Sequence, residues 1–223
     1  MQIDRWDILA RLLVLFLLLP VHEYAHGLVA ARLGDPTPQQ QGRLTLNPLR
    51  HLDMLGSMMM LVMGFGWAKP VQVDPRHFKN PRRGMALVAA AGPLSNLLMA
   101  LAAMSLYKIL SYCLRGTMLL AGFGAVFEAI ATTVVFIIII NLRLAVFNLL
   151  PIPPLDGSRI ATLLLPERLY WGIMRYERFI MLGLMALLWL GLLSAPLNTL
   201  TQQLFAAVDW LTQPLDWLLL RLF

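Results

Sequence analysis

Residues 22 to 26 read His-Glu-Tyr-Ala-His. On a helix, positions i and i+4 share a face, so His22 and His26 can aim both imidazoles at one metal ion. Glu23 is then placed to take a proton from water activated at that metal. The surroundings sharpen the reading. The five residues lie in a run from Leu12 to Ala31 that is otherwise apolar, and ionisable groups in hydrocarbon are costly and usually functional. A catalytic zinc takes three protein ligands and keeps one position open, so a third ligand must come from elsewhere in the chain. Asp156 sits in a helix break beside Gly157, just after Pro151, Pro153 and Pro154. His51, Asp53 and Glu128 are the other candidates. Periodicity and depth favour Asp156 and leave the rest open.

The elements that must position these residues are set by composition. The chain has 223 residues, 59% of them hydrophobic and 13% charged, with a mean hydropathy of +0.69. That is too little polar surface for a soluble domain of this length. The expected fold is an all-α polytopic membrane protein of four to five transmembrane helices. About 20 mostly apolar residues make a span. Residues 6–33, 85–110 and 118–150 qualify, 179–194 is a fourth, short span extendable toward Arg175, and 197–223, interrupted by Asp209 and Asp216, is either an interfacial amphipathic segment or a fifth span. Gly34-Asp35-Pro36 should stop the first helix. Between the first two spans, residues 54–65 are apolar but short and read as a re-entrant or interfacial segment. Short β-strands are expected over 42–46 and 67–73, bounded by Pro and Gly. No linker divides the chain, so 1–223 is read as one integral-membrane domain, with a core at about 7–165 and a C-terminal part at 166–223. The N-terminal apolar run reads as a retained span rather than a cleaved leader, since no small-x-small site follows it.

Charge places the spans. The net charge is +6, and residues 32–83 hold eight of the eighteen Lys and Arg. In a membrane protein this block belongs on the cytoplasmic side. Crossing once puts Arg115 outside, and crossing back puts Arg143, Arg159, Arg168, Arg175 and Arg178 inside. The His-Glu-x-x-His stretch and Asp156 then fall in the same, cytoplasmic half. No basic stripe with interleaved aromatics appears, which argues against nucleic acid as a partner. The single cysteine, Cys113, excludes an intramolecular disulfide.

Three stretches together resemble the signature motifs of the site-2 protease family of intramembrane zinc metalloproteases. They are His22-Glu23-x-x-His26, Gly92-Pro93-x-x-Asn96, and Asn148-Leu149-Leu150-Pro151-x-x-Pro154-Leu155-Asp156-Gly157. Arg43-Leu44-Thr45-Leu46-Asn47-Pro48, His51-Leu52-Asp53 and Gly66-Trp67-Ala68-Lys69-Pro70 resemble the compact prokaryotic type, without a PDZ or regulatory domain. The resemblance implies one zinc ion per chain, bound by His22, His26 and Asp156, with Glu23 as general base. It implies that Asn148 holds the substrate or stabilises the oxyanion and that Asn96 lies near the active site. It also implies transmembrane protein substrates, a lipid bilayer as surroundings and a prokaryotic inner-membrane location. A substrate helix hides its carbonyls in internal hydrogen bonds, so an edge strand from the 42–73 region is expected to hold the unwound segment. Met54 departs from the type, standing where Pro is common. A transporter would distribute ionisable groups across the bilayer; here they cluster on one side. An inactive scaffold would not need the intact set of His22, Glu23, His26 and Asp156.

Overall fold

The computed structural model describes residues 5–64, 66–116, 124–166, 172–173 and 175–222. The first apolar run forms one continuous helix, α1 (Arg5–Leu13) passing through a π-helical turn (Val14–Leu18) into α2 (Leu19–Arg32). The π turn has a local cause. Pro20 has no N–H to give to the carbonyl of Phe16, so the helix widens just before it, and the Leu19 N–H reaches back to Val14. The helix stops as its sequence requires: Gly34 adopts φ +103, and the N–H groups of Gly34 and Asp35 bond the carbonyls of Ala31 and Ala30.

Two further helices are long and apolar enough to cross a membrane. They are α5 (Pro81–Gly116) and α6 (Gly124–Leu149), which pack against each other as an antiparallel pair. Their seam is built from Ala100, Ala103 and Met104 against Val134, Ile138 and Leu142. The small residues of α5 let the β-branched face of α6 come close. α2 packs on the first half of α5.

Short elements join these spans. After α3 (Thr37–Gln40) comes α4 (Met54–Met63), capped at its start by the Asp53 carboxylate on the Gly56 N–H (2.8 Å) and at its end by Gly64 at φ +81. The Arg11 guanidinium, inside the first span, donates to the carbonyls of Leu61 and Val62 at the far end of α4. The tip of α4 therefore rests against the last turn of α1. A short helix, α7 (Asp156–Ala161), follows the proline break.

The strands expected over 42–46 and 67–73 do not form. Among the described residues the only strand-like pairing is an isolated antiparallel bridge between Leu52 and Ala68. The reason lies in where the backbone donors go. Lys69 N–H reaches His51 O (2.8 Å), Val71 N–H reaches the Glu23 carboxylate (2.9 Å) and Asp74 N–H reaches the Asp35 carboxylate (2.8 Å). Side-chain carboxylates thus take donors that a neighbouring strand would have used.

The fourth span expected over 179–194 is also different. α8 (Glu177–Trp189) is 13 residues long and turns by 85° into α9 (Ser194–Leu222). At 1.5 Å per residue, α8 covers about 20 Å, short of the roughly 30 Å of a hydrocarbon core. Three helices are long and apolar enough to span, or four if the bent pair counts as one. Cys113 and Arg115 have side chains outside the described set, as does Arg168.

Candidate metal centre

The helix α2 places His22, Glu23 and His26 in the interior, each less than a tenth exposed. Asp156 is the first residue of α7. Three donor atoms converge: His22 Nε2 and His26 Nε2 are 3.0 Å apart, and Asp156 Oδ2 lies 3.2 Å from the first and 3.3 Å from the second. Two donors at about 2.0–2.1 Å from a tetrahedral zinc lie about 3.3–3.4 Å from one another. The observed triangle has nearly that size. Its chemistry agrees. His26 Nδ1 is 2.7 Å from the Val88 carbonyl, which can only accept, so in the neutral ring the proton sits on Nδ1 and Nε2 is bare. A bare imidazole nitrogen faces a carboxylate oxygen and a second ring nitrogen. Such a set of lone pairs fits a divalent cation, and among the described residues it is the one cluster of His, Cys, Asp or Glu arranged to hold one.

The sequence explains why these groups can meet. Val88, Gly92 and Asn96 recur at i, i+4 and i+8 of α5, so they share a face. That face lies against the two rings. Gly92 is there because nothing larger fits: a Cβ on it would stand 2.4 Å from both His22 Cε1 and His26 Nε2. Asn96 is fully buried, with Nδ2 3.3 Å from His22 Nδ1. Asp156 arrives by a similar close fit. A Cβ on Gly157 would lie 2.2 Å from Leu149 O and 2.4 Å from Leu150 O, so glycine lets α7 fold back onto the end of α6. The far end of α7 is held by Arg82 of α5, whose guanidinium donates to the carbonyls of Thr162 and Leu165.

The remaining residues fall into place around this set. Glu23 is joined to the segment after α4 through Val71 N–H. That segment is pinned further along, where the fully buried Asp35 accepts from Thr37 N–H (2.9 Å) and Asp74 N–H. Asp74 in turn caps the Pro75–His77 turn, and hydrogen bonds from Arg76 hold its carboxyl down at about 2. Asn148 Nδ2 donates to Leu144 O (3.0 Å) on its own helix. His51 is buried but turned to Thr45 O (2.8 Å), and Asp53 caps α4. Glu128 is exposed near the start of α6. None of these last three joins the cluster. The Val88 carbonyl, the Val71 N–H and the Arg82 cap carried no readable signal. The first two are backbone groups, and the third depends on a partner eighty residues away.

Comparison with known proteins bears on the same residues. Residues 113–191 match the model of Peptidase family M50. The chain is 46% identical over 146 residues to "Putative zinc metalloprotease YwhC" of Bacillus subtilis, covering 66% of this chain and 64% of that protein. It is 32% identical over 143 residues to "Putative zinc metalloprotease Rip2" of Mycobacterium tuberculosis, covering 61% of this chain and 50% of the relative. Rip2 of Mycolicibacterium smegmatis is 28% identical over 142 residues, with the same coverage. The chain thus spans under two thirds of the length of these relatives. No solved structure matches it. The segment that delivers Asp156 to the two histidines lies within the stretch that resembles Peptidase family M50, and the identity to YwhC makes the chain similar to a protein named as a zinc metalloprotease.

Proposed function

We propose that this chain is an intramembrane zinc endopeptidase that hydrolyses peptide bonds within or near transmembrane segments of other membrane proteins. The observation that carries the reading is the convergence of His22, His26 and Asp156, buried beside Glu23 on an apolar helix. Zinc, when held by these three residues, supplies a Lewis acid that acidifies water and polarises a carbonyl. Glu23, one residue after a ligand, accepts the proton of the attacking water and returns it to the leaving amine. Val71 N–H fixes one oxygen of the Glu23 carboxylate and leaves the other to move the proton. Asn148 donates to the developing oxyanion once its amide leaves Leu144 O. The segment of residues 66–74 meets Glu23 at Val71 and is the natural place for an unwound substrate segment to lie.

The site opens toward the cytoplasmic side of a prokaryotic inner membrane. The basic block at 32–83 and the arginines after α6 support this, since positive residues stay inside. Catalysis rests on residues 7–165, and 166–223 completes the bundle. Within that C-terminal part α9 is a further crossing. It starts near the end of α6, where Asn198 meets Arg143 (3.1 Å), passes the α5–α6 seam at Val208, and reaches Lys108 with Asp209 and Asp216. The eighteen residue steps from Asn198 to Asp216 rise about 27 Å, close to the thickness of a hydrocarbon core.

The test uses purified full chain in detergent, with zinc content and cleavage of a model transmembrane segment measured together. Glu23→Gln should keep zinc and lose at least about a hundredfold in rate, within the range for a general base. Asp156→Ala should lose both. Full activity in Glu23→Gln would sink the protease mechanism, and a wild type without zinc would sink every metal-dependent reading.

A further inference from the structure

A ligand histidine must keep its coordinating nitrogen free of hydrogen, and the hydrogen bond made by its other nitrogen decides this. His26 meets the condition through the Val88 carbonyl. His22 is the open case. Its Nδ1 lies 3.3 Å from Asn96 Nδ2, and this is the only hydrogen bond of that atom among the described residues. An amide nitrogen donates, so this arrangement makes Nδ1 an acceptor and leaves the ring proton on Nε2. That proton would point into the triangle formed with His26 Nε2 and Asp156 Oδ2. The amide oxygen of Asn96 is meanwhile buried with no donor. A half-turn of the amide exchanges the two ends without changing its shape and breaks no bond of the oxygen.

We propose that Asn96 is the positioning residue of the metal site: its side-chain oxygen accepts the His22 Nδ1–H and thereby leaves Nε2 bare as a ligand. The inference rests on the zinc reading above. The face of α5 then treats the two ligands alike. A backbone carbonyl at 88 and a side-chain carbonyl at 96 each take an Nδ1–H, and Gly92 between them leaves room for both rings. His26 meets a backbone acceptor in the turn before Gly92. His22 sits one turn earlier on α2 and meets α5 beyond Gly92, where its acceptor is an amide side chain.

The experiment compares zinc affinity of the full chain by chelator competition, together with 15N spectra of labelled histidines in the zinc-loaded wild type. Asn96→Asp keeps an acceptor and no donor, and should bind zinc within a few-fold of wild type. Asn96→Leu should bind about 10–100-fold more weakly, the usual loss when a ligand's outer partner is removed. The wild-type spectrum should show His22 with a protonated Nδ1, assigned by its absence in His22→Ala. Equal binding by Asn96→Leu, equal loss in both variants, or a bare His22 Nδ1 would each overturn the proposal. A merely structural role would weaken Asp and Leu alike. If Asn96→Leu does not fold, the wild-type spectrum and Asn96→Asp decide. A wild type that binds no zinc overturns the metalloprotease reading along with this one, whereas zinc binding indifferent to position 96 overturns this one alone.

Discussion

α5 carries a buried polar cluster toward each end, and the two are built on different plans. Near its start, Val88, Gly92 and Asn96 face His22, His26 and Asp156, a group rich in acceptors and short of protons. Asp156 Oδ2 and Asn96 Oδ1 are buried there without a hydrogen-bond donor. Near its other end, Lys108 is less than a tenth exposed and is fully answered: Asp209 Oδ1 at 2.9 Å, Asp216 Oδ2 at 2.6 Å and the Asp209 carbonyl at 3.3 Å. A buried polar group normally finds its partner. The complete cluster therefore reads as a latch that holds α9 against α5, and the incomplete one as a site whose last partner is a cation.

The comparison can be broken at either end. The largest effect is expected from Gly92→Val, which drives a side chain into both imidazoles. Zinc affinity should fall by about a hundredfold or more, with a further overpacking cost of about 1–3 kcal/mol in stability. A variant that still binds zinc tightly would mean the rings are not held where they stand. A smaller effect is expected from Val71→Pro, which deletes the N–H on Glu23. One hydrogen bond to a charged group is worth about 1.5–3 kcal/mol, so cleavage should slow by roughly ten- to a hundredfold. Zinc content should not change, and a loss of metal would show that this segment builds the metal site rather than serving Glu23. The smallest effect on the site is expected from Lys108→Met. Stability should drop by about 1–3 kcal/mol, between the limits for exposed and buried pairs, with zinc affinity unchanged. A loss of zinc affinity matching that of Asn96→Leu would erase the distinction between the two ends.

How much of this was legible beforehand follows the range of each interaction. The pair His22 and His26 is local, set by 3.6 residues per turn, and so is the stop at Gly34. Asp156 could be favoured from a helix break at matching depth. The strands over 42–46 and 67–73 failed because alternation and flanking Pro or Gly describe a segment's preference and say nothing of its partner. For the second segment that partner turned out to be carboxylates on and just after α2. α8 had the composition of a span but stops after thirteen residues. Lys108 carries no signal of its own in the sequence, because a lone lysine near a helix end usually reaches the headgroups. Its two aspartates lie about a hundred residues away.

The sequence by itself determined the membrane class, the first helix and its ends, and two of the three candidate ligands on one helical face. It also supplied the glycine, the amide and the proline break whose spacing the site requires. Only the tertiary structure decided which carboxylate meets the two imidazoles, why position 92 admits no side chain, and which group faces each ring nitrogen. The division is physical. Helical periodicity acts over a few residues and can be counted along the chain, while the direction of a hydrogen bond across a helix interface exists only once the helices have packed.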